Sequence, residues 1–500
     1  MPLTLASGGS RSYLSEGTAE EGSHLVGITS LADSILRGVE NVGTRASETL
    51  FEPVIRLGVT GLARAGKTVF ITSLVTSLRE RERMHGLAAA QEGRIAAAYL
   101  QPQPDDTVPR FDYEAHWEAL TSRPPHWPES TRAISELRLS LRVRPSGLLS
   151  GIQGARVVHL DIVDYPGEWL LDLVLLEKSY AEWSQEVLSR LAARKATSNE
   201  AARYLALAEA EDAADALEEP RAQALARAFT DYLAAARDSG AYDVTPGRFL
   251  LPGDLAGSPV LTFAPLAEPA RVPRRSLWRE MERRFDAYKA QVVRPFFRDH
   301  FARIDRQIVL LDVLGAIHKG PAALEDMRAA MGDILGAFRP GRNALLARLL
   351  RGRRVERILF AATKADHLHH SEHARLAAIT AALTEGARER ARFAGARTES
   401  MAIASLRATV EEIRRHEGQE FPCVRGTLLE TGRQAALYPG RLPEDPAALL
   451  GPARRGAQTW LGEDYEVMNF APPELTLKPG EGPPHIRLDR AAQFLIGDRL

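Results

Sequence analysis

Short apolar runs punctuate this chain, and between them apolar positions recur at helical spacing. Ile55 to Thr60 is a run of the first kind and leads into a glycine-rich turn. From Lys67 to about Arg83 the apolar residues fall on one side of a helix. Residues 85–130 hold many prolines and aromatics with little periodicity, and a long loop or small insertion is expected there. Ile134 to Val143 alternates apolar and charged residues, which marks a half-exposed strand. Arg156 to Val163 is mostly apolar, hence more buried, and the turn at Pro145 to Gly151 should pair the two antiparallel.

Leu170 to about Ser239 changes character. It is rich in Ala, Glu, Leu and Arg, breaks near Thr197 and Pro220, and reads as three helices. Loops follow over residues 246–273, and a further helical stretch runs from Arg274 to about Ile304. Buried-strand runs return at Ile308 to Val313, Arg357 to Ala362 and Ser400 to Ala404. Short apolar strands separated by helical stretches predict an α/β fold, a mostly parallel sheet flanked by helices. The tail past Arg425 has scattered Pro and Gly and ends in a short helix near Arg490 to Gly497. At the other end, residues 1–22 are rich in Gly, Ser and Glu, and Leu25, Ile28, Leu31, Ile35 and Leu36 then form an amphipathic stripe. The expected partition is a tail and amphipathic helix over 1–50, a first α/β part over 51–169, a large α-helical insertion over 170–305, and a second α/β part over 306–500.

Composition narrows this little. The chain is 45% hydrophobic and 26% charged with a net charge of -1, so no nucleic-acid partner is expected. A single cysteine, Cys423, excludes an internal disulfide and a cysteine-based zinc site. No basic-then-apolar leader and no run long enough to span a bilayer is visible, so a cytoplasmic location is expected.

Three motifs carry chemistry. Gly61 to Thr68 reads G-L-A-R-A-G-K-T between a strand and a helix, the pattern of a phosphate-binding loop. Gly61 and Gly66 let the backbone approach a phosphate. The N–H groups of Arg64, Ala65, Gly66, Lys67 and Thr68, with the helix start at Val69, would wrap it. Lys67 would bridge the β- and γ-phosphates, and the Thr68 hydroxyl would ligate Mg²⁺. The second motif, Asp164-Tyr-Pro-Gly167, ends the buried strand. Asp164 can hold the Mg²⁺ shell and the Gly167 amide can reach the γ-phosphate. Asp161 lies on the opposite face, and Asp164 is favoured because ligands bind at the carboxyl ends of such strands. The third is Thr363-Lys-Ala-Asp366, where a carboxylate can accept guanine N1–H and 2-amino bonds that adenine does not offer, while the Lys364 stem packs along the base beside His367.

In this order, with Ala404, Ser405 and Leu406 ending a later strand, the motifs resemble those of the translation-factor-related GTPases that include Ras, though Thr363 stands where Asn is usual. A closer resemblance, carried by R-L-G-V-T-G-L-A-R-A-G-K-T, D-Y-P-G-E-W-L-L-D, F-R-P-G-R-N, F-A-A-T-K-A-D-H and H-I-R-L-D, is to the YcjX-like family of bacterial P-loop proteins. It implies a Ras-like G domain with a helical insertion, GTP/GDP and Mg²⁺ as ligands, a cytoplasmic stress-response context, and genes set beside that of a membrane protein.

Three residues carry expectations with alternatives. Arg64 in the loop could act as a built-in arginine finger or could be a solvated ion-pair partner. Glu168 follows Gly167 where a water-orienting Gln is usual. It could orient the water at a cost in charge repulsion, or be a polar turn residue, and slow turnover is expected. Thr131 precedes a strand where a first switch places a Mg²⁺ ligand, and also fits a plain turn. The arginines from Arg339 to Arg357 could meet an anionic membrane surface or a membrane-protein partner at the inner membrane, or form a solvated helix. ATP hydrolysis, or nucleotide holding with little turnover, stand as alternatives to GTP hydrolysis.

Overall fold

The inner strand runs assemble into one sheet because they are apolar enough to be covered on both faces. A computed structural model describes residues 52–500 apart from 63, 130–132, 147–153, 243, 337–354 and 456–467. The strands are β1 (Val54–Gly61), β2 (Ile95–Gln101), β3 (Ser135–Val143), β4 (Arg156–Asp164), β5 (Arg306–Leu311), β6 (Arg357–Ala362) and β7 (Arg397–Ala402). They form a seven-stranded sheet in the order β2-β3-β4-β1-β5-β6-β7. From β4 to β7 all neighbours are parallel, and β3 turns back antiparallel beside β4 as the turn signal predicts. The fold is thus α/β with a mostly parallel sheet flanked by helices. All six residues of β5, an inner strand, are buried, as expected of a strand covered on both sides.

Two expectations fail. Residues 85–130 are not merely a loop: they contain β2 and a helix at Tyr113–Thr121. The run I-A-A-A-Y-L-Q conceals the strand because alanine has low strand preference. β2 nevertheless pairs antiparallel with β3 at the sheet edge, where little burial is demanded of it. Near the tail, β8 (Val410–His416), β9 (Gln419–Thr427) and β10 (Gln434–Leu437) form a separate antiparallel sheet where no strand was read. Its first strand, V-E-E-I-R-R-H, is exposed along most of its length, so alternation gives no buried face to detect.

The two faces of the sheet are covered differently. Helix α1 (Lys67–Glu80) and a helix at Leu488–Ile496 cover one, burying Phe70, Ile71, Leu74 and Leu495 against β1, β4 and β5. On the other face the core runs without interruption into the helices of residues 170–305: α2 (Tyr180–Arg194), α3 (Asn199–Glu209), α4 (Glu219–Ser239) and α5 (Leu277–Tyr288). These helices meet on an aromatic cluster. Trp183 stacks on Phe285 with centroids 5.0 Å apart and meets Phe263 and Phe229 edge-on. Such pairs add about 0.5–1.5 kcal/mol each beyond their burial. Residues 54–500 make one compact unit by internal contacts.

Candidate functional site

The phosphate loop sits at the carboxyl end of β1, in the middle of the sheet. Arg64 at φ +64° and Gly66 at φ +80° turn the chain so that α1 starts at Lys67. No side chain caps α1, so its first N–H groups point into the loop without a side-chain acceptor. A Cβ at Gly66 would meet nothing within 4 Å, whereas one at Gly167 would come 2.7 Å from the Gly61 carbonyl oxygen. Gly167 is therefore a glycine because its backbone abuts the phosphate loop. Lys67 Nζ donates to the Gly61 carbonyl at 3.2 Å, and Thr68 Oγ1 donates to the Glu129 carbonyl at 3.4 Å.

A cavity of about 1020 Å³ opens over this loop. It brings together Arg64, Ala65, Gly66, Lys67, Thr68 and Val69 with Glu168. At its other end it takes in Lys364, Asp366, His367 and Ser405. Gly61, Gly167 and Asp164 lie outside its lining. Asp164 is buried at the end of β4, opposite Val59 of β1, and Asp161 accepts two bonds from Arg138 at 2.6 and 2.9 Å. Thr131 lies outside the described residues. So does the basic segment except for its end, where Arg357 pairs with Asp498 at 2.9 Å rather than facing outward. The amphipathic stripe at Leu25 to Leu36 and the phrase F-R-P-G-R-N also fall outside them.

The far end of the cavity is built from three chain segments. Lys364 at φ +58° swings the chain after β6 so that Asp366 is buried. The Ala408 N–H donates to Asp366 Oδ2 at 2.8 Å, and the Thr409 hydroxyl donates to the Asp366 carbonyl. Ala404 exchanges backbone bonds with Ile486, which ties Ser405 to the H-I-R-L-D segment. His367 packs edge-on to Phe470 at 5.1 Å, and burial holds its imidazole below the ordinary range. The Lys364 ammonium pairs with Asp312 at the end of β5, and the Thr363 hydroxyl donates to the Leu311 carbonyl at 3.3 Å.

The remaining wall was not read from the sequence. Arg237, Asp238, Tyr242 and Leu251 come from the helical region, and Lys319 from the end of the helix at Val313–Lys319. Burial, and the nearby Arg64 guanidinium, push the Lys319 ammonium down. Asp312 could have been found: it ends a buried apolar run as Asp164 does. Arg237 and Lys319 sit among many surface cations, and nothing local sets them apart.

The segment after Gly167 is bolted to this wall. Trp169 Nε1 donates to the Leu251 carbonyl at 3.2 Å, and the Arg248 guanidinium lies 3.3 Å over its ring. Asp172 is buried and accepts the Gly247 N–H at 2.7 Å and the Tyr288 hydroxyl at 2.5 Å. Burial nonetheless raises its carboxyl to about 7, because desolvation outweighs both hydrogen bonds. Gly247 passes so close to the Glu168 carbonyl that a Cβ there would stand 2.2 Å away.

The sequence pattern of the YcjX-like family, DUF463, matches residues 55–500. The chain belongs to that family. Within the YcjX-like proteins it is 37% identical over 462 residues to the Ras-like GTPase YcjX of Escherichia coli (strain K12), covering 89% of this chain and 96% of that protein. To the Ras-like GTPase YcjX of Shewanella oneidensis it is 37% identical over 469 residues, covering 89% and 94%. Among the described residues no helix is long and apolar enough to cross a membrane.

Proposed function

We propose that this chain binds GTP with Mg²⁺ in the cavity over Gly61–Thr68 and hydrolyses the β–γ bond slowly, as a conformational switch. The supporting observation is that the phosphate loop and Asp366, about 300 residues apart in sequence, line one cavity. The two relatives named as Ras-like GTPases favour the same reading.

The residues present suit such ligands. Gly66 leaves open space for a phosphate where any side chain would stand, and the Lys67 ammonium already lies across the loop. The Thr68 hydroxyl and the Asp164 carboxylate are hard oxygen donors of the kind Mg²⁺ takes. When bound, that ion supplies charge neutralisation across the β- and γ-phosphate oxygens. Lys67 and the loop N–H groups hold the phosphates. Asp366 has a second lone pair on Oδ2 beyond the one facing Ala408, so its two oxygens can accept the paired N–H donors of guanine. Lys364 and His367 flank the base. Arg64 is exposed within the loop and can swing to phosphate oxygens as charge develops, the role of an arginine finger. Gly167 carries the γ-phosphate signal through Trp169 and Asp172 into the helical region.

One observation favours a second reading, nucleotide holding with little turnover. Glu168 is 4% exposed, and its Oε2 has no hydrogen-bond partner among the described residues. A buried carboxylate beside a γ-phosphate adds repulsion as well as a base. Phosphate release at saturating GTP separates the readings, with Lys67→Ala as the blank and ATP as competitor. Lys67→Ala is expected to weaken GTP binding by about 2–5 kcal/mol. Arg64→Ala is expected to slow single-turnover hydrolysis by at least about tenfold with binding retained. Hydrolysis by wild type no faster than by the blank would leave only the holding reading. Displacement of bound GTP by ATP at equal concentration would discard guanine preference.

A further inference from the structure

Just beyond the base-side residues, two histidines and a glutamate converge in a place the nucleotide does not need. His369 and His370 follow Asp366 by three and four positions, and Glu411 stands on β8, two residues past Thr409. One ligand-type atom from each of the three lies within 4.8 Å of the other two. His370 Nδ1 is 2.6 Å from Glu411 Oε2, and His369 Nε2 is 3.6 Å from the same oxygen. We propose that His369, His370 and Glu411 form a binding site for a divalent transition-metal ion of the zinc class.

The donor set is the first argument. Two imidazole nitrogens and one carboxylate oxygen suit Zn²⁺ or Co²⁺, whereas Mg²⁺ and Ca²⁺ take oxygens. Ligand atoms around a tetrahedral ion with bonds of about 2.0–2.1 Å stand roughly 3.3 Å apart. The observed separations bracket that value, and the His370 side chain, 69% exposed, is free to make the adjustment. Water fills the fourth position from the open side.

The surroundings are the second. The His369 side chain is only 12% exposed, and its Nδ1 lies 3.1 Å from Ser371 Oγ. Nδ1 also accepts the Ser371 backbone N–H at 3.4 Å; on metal binding that contact yields and the Nδ1–H turns to Ser371 Oγ, the oxygen partner that a metal-bound imidazole takes. Arg407 Nη2 approaches the other carboxylate oxygen, Glu411 Oε1, at 3.5 Å, which orients the group and leaves Oε2 toward the histidines. The acidic partner and the two histidines come from segments on either side of Asp366's own supports, Ala408 and Thr409. An ion here joins the chain leaving Asp366 to the chain that holds Asp366 in place.

The bland alternative is a polar surface cluster in which a protonated His370 pairs with Glu411. Metal titration of the full chain separates the two. Tag-free, nucleotide-free protein stripped with a chelator is titrated with Co²⁺, followed by its visible absorption, and then with Zn²⁺ by calorimetry at pH 7.5. One equivalent is expected, with the absorption of a tetrahedral ion, and Zn²⁺ should displace Co²⁺. His369→Ala and Glu411→Gln should each abolish that equivalent, while His416→Ala, a neighbouring exposed histidine on β8, should leave it unchanged. Should His369→Ala fail to fold, the doubly substituted His370→Ala, Glu411→Gln protein carries the test. Binding by wild type no stronger than by that protein, or an equivalent that survives its substitutions, overturns the site. The readout is metal binding without nucleotide, so its outcome is independent of the GTP reading.

Discussion

The two walls of the cavity are made by different means. On the strand side every group sits at the carboxyl end of a parallel strand. Lys67 and Thr68 follow β1 and Asp366 follows β6, while Asp312 after β5, outside the lining, holds Lys364, and Asp164, also outside it, ends β4. Neighbouring strands stand about 4.8 Å apart, so register alone fixes the spacing of these groups. On the opposite side Arg237, Tyr242 and Lys319 sit at helix ends and in a loop. Arg237 and Tyr242 are placed by the helix whose Phe229 meets Trp183, and Lys319 by the helix after β5. Backbone hydrogen bonding sets one wall and side-chain packing sets the other, so the two should respond to different insults.

The largest separation is expected from Trp169→Ala. Trp169 is buried and joins the walls through Leu251, Arg248 and an edge contact with Phe296 at 5.4 Å. Its removal should cost about 3–5 kcal/mol in urea unfolding, as for other buried tryptophans. A loss below about 1 kcal/mol would mean that the walls are not joined at this residue. Asp366→Asn should act on the strand wall alone. The Asn carbonyl can keep the Ala408 bond, while its amide N–H faces guanine donors. GDP affinity should fall by about 1.5–3 kcal/mol in a fluorescent-nucleotide titration, with unfolding unchanged. Equal affinity would remove Asp366 from the base end.

A test by pH sharpens the comparison from the helical side. The Asp172 carboxyl is raised to about 7 in the fold and titrates near 3.9 when unfolded. Between those values the folded state holds the extra proton. The stability this group contributes is therefore fully present below about pH 4 and is lost as pH rises through about 7. The slope is at most about 1.4 kcal/mol per pH unit. Asp172→Asn can keep both hydrogen bonds and should flatten the stability curve between pH 4 and 7. An unchanged curve would show that the carboxyl is ionised throughout that range.

Legibility followed the same division. Gly61 to Thr68, Asp164 and Asp366 stood out because a polar group after an apolar run marks a strand end; β1 and β3 to β6 were read within a residue or two, while β7 begins three residues before the apolar run at Ser400. The helices of residues 170–239 and their breaks were legible from periodicity and from Pro220, which sits in the first turn of α4. Their arrangement was not, because which face of α4 meets the cavity depends on Phe229, Phe263 and Phe285 finding one another across the sequence. β2 was hidden by alanine, and β8 by charge. Glu411 was hidden as well, since only the pairing of β8 with β9 and the return past Thr409 bring it to His369 and His370.

Ile486 has a consequence for the timing of synthesis. Its backbone holds Ala404, beside Ser405, while Arg306, buried in β5, relies on the Leu495 carbonyl and on Asp498. A nascent chain reaches these residues tens of seconds after β1 leaves the ribosome, at about 5–20 residues per second. Until then Ala404 lacks its backbone partner and the Arg306 guanidinium lacks two of its acceptors. A ribosome stalled before residue 486 therefore releases a chain without these ties between the tail and the sheet.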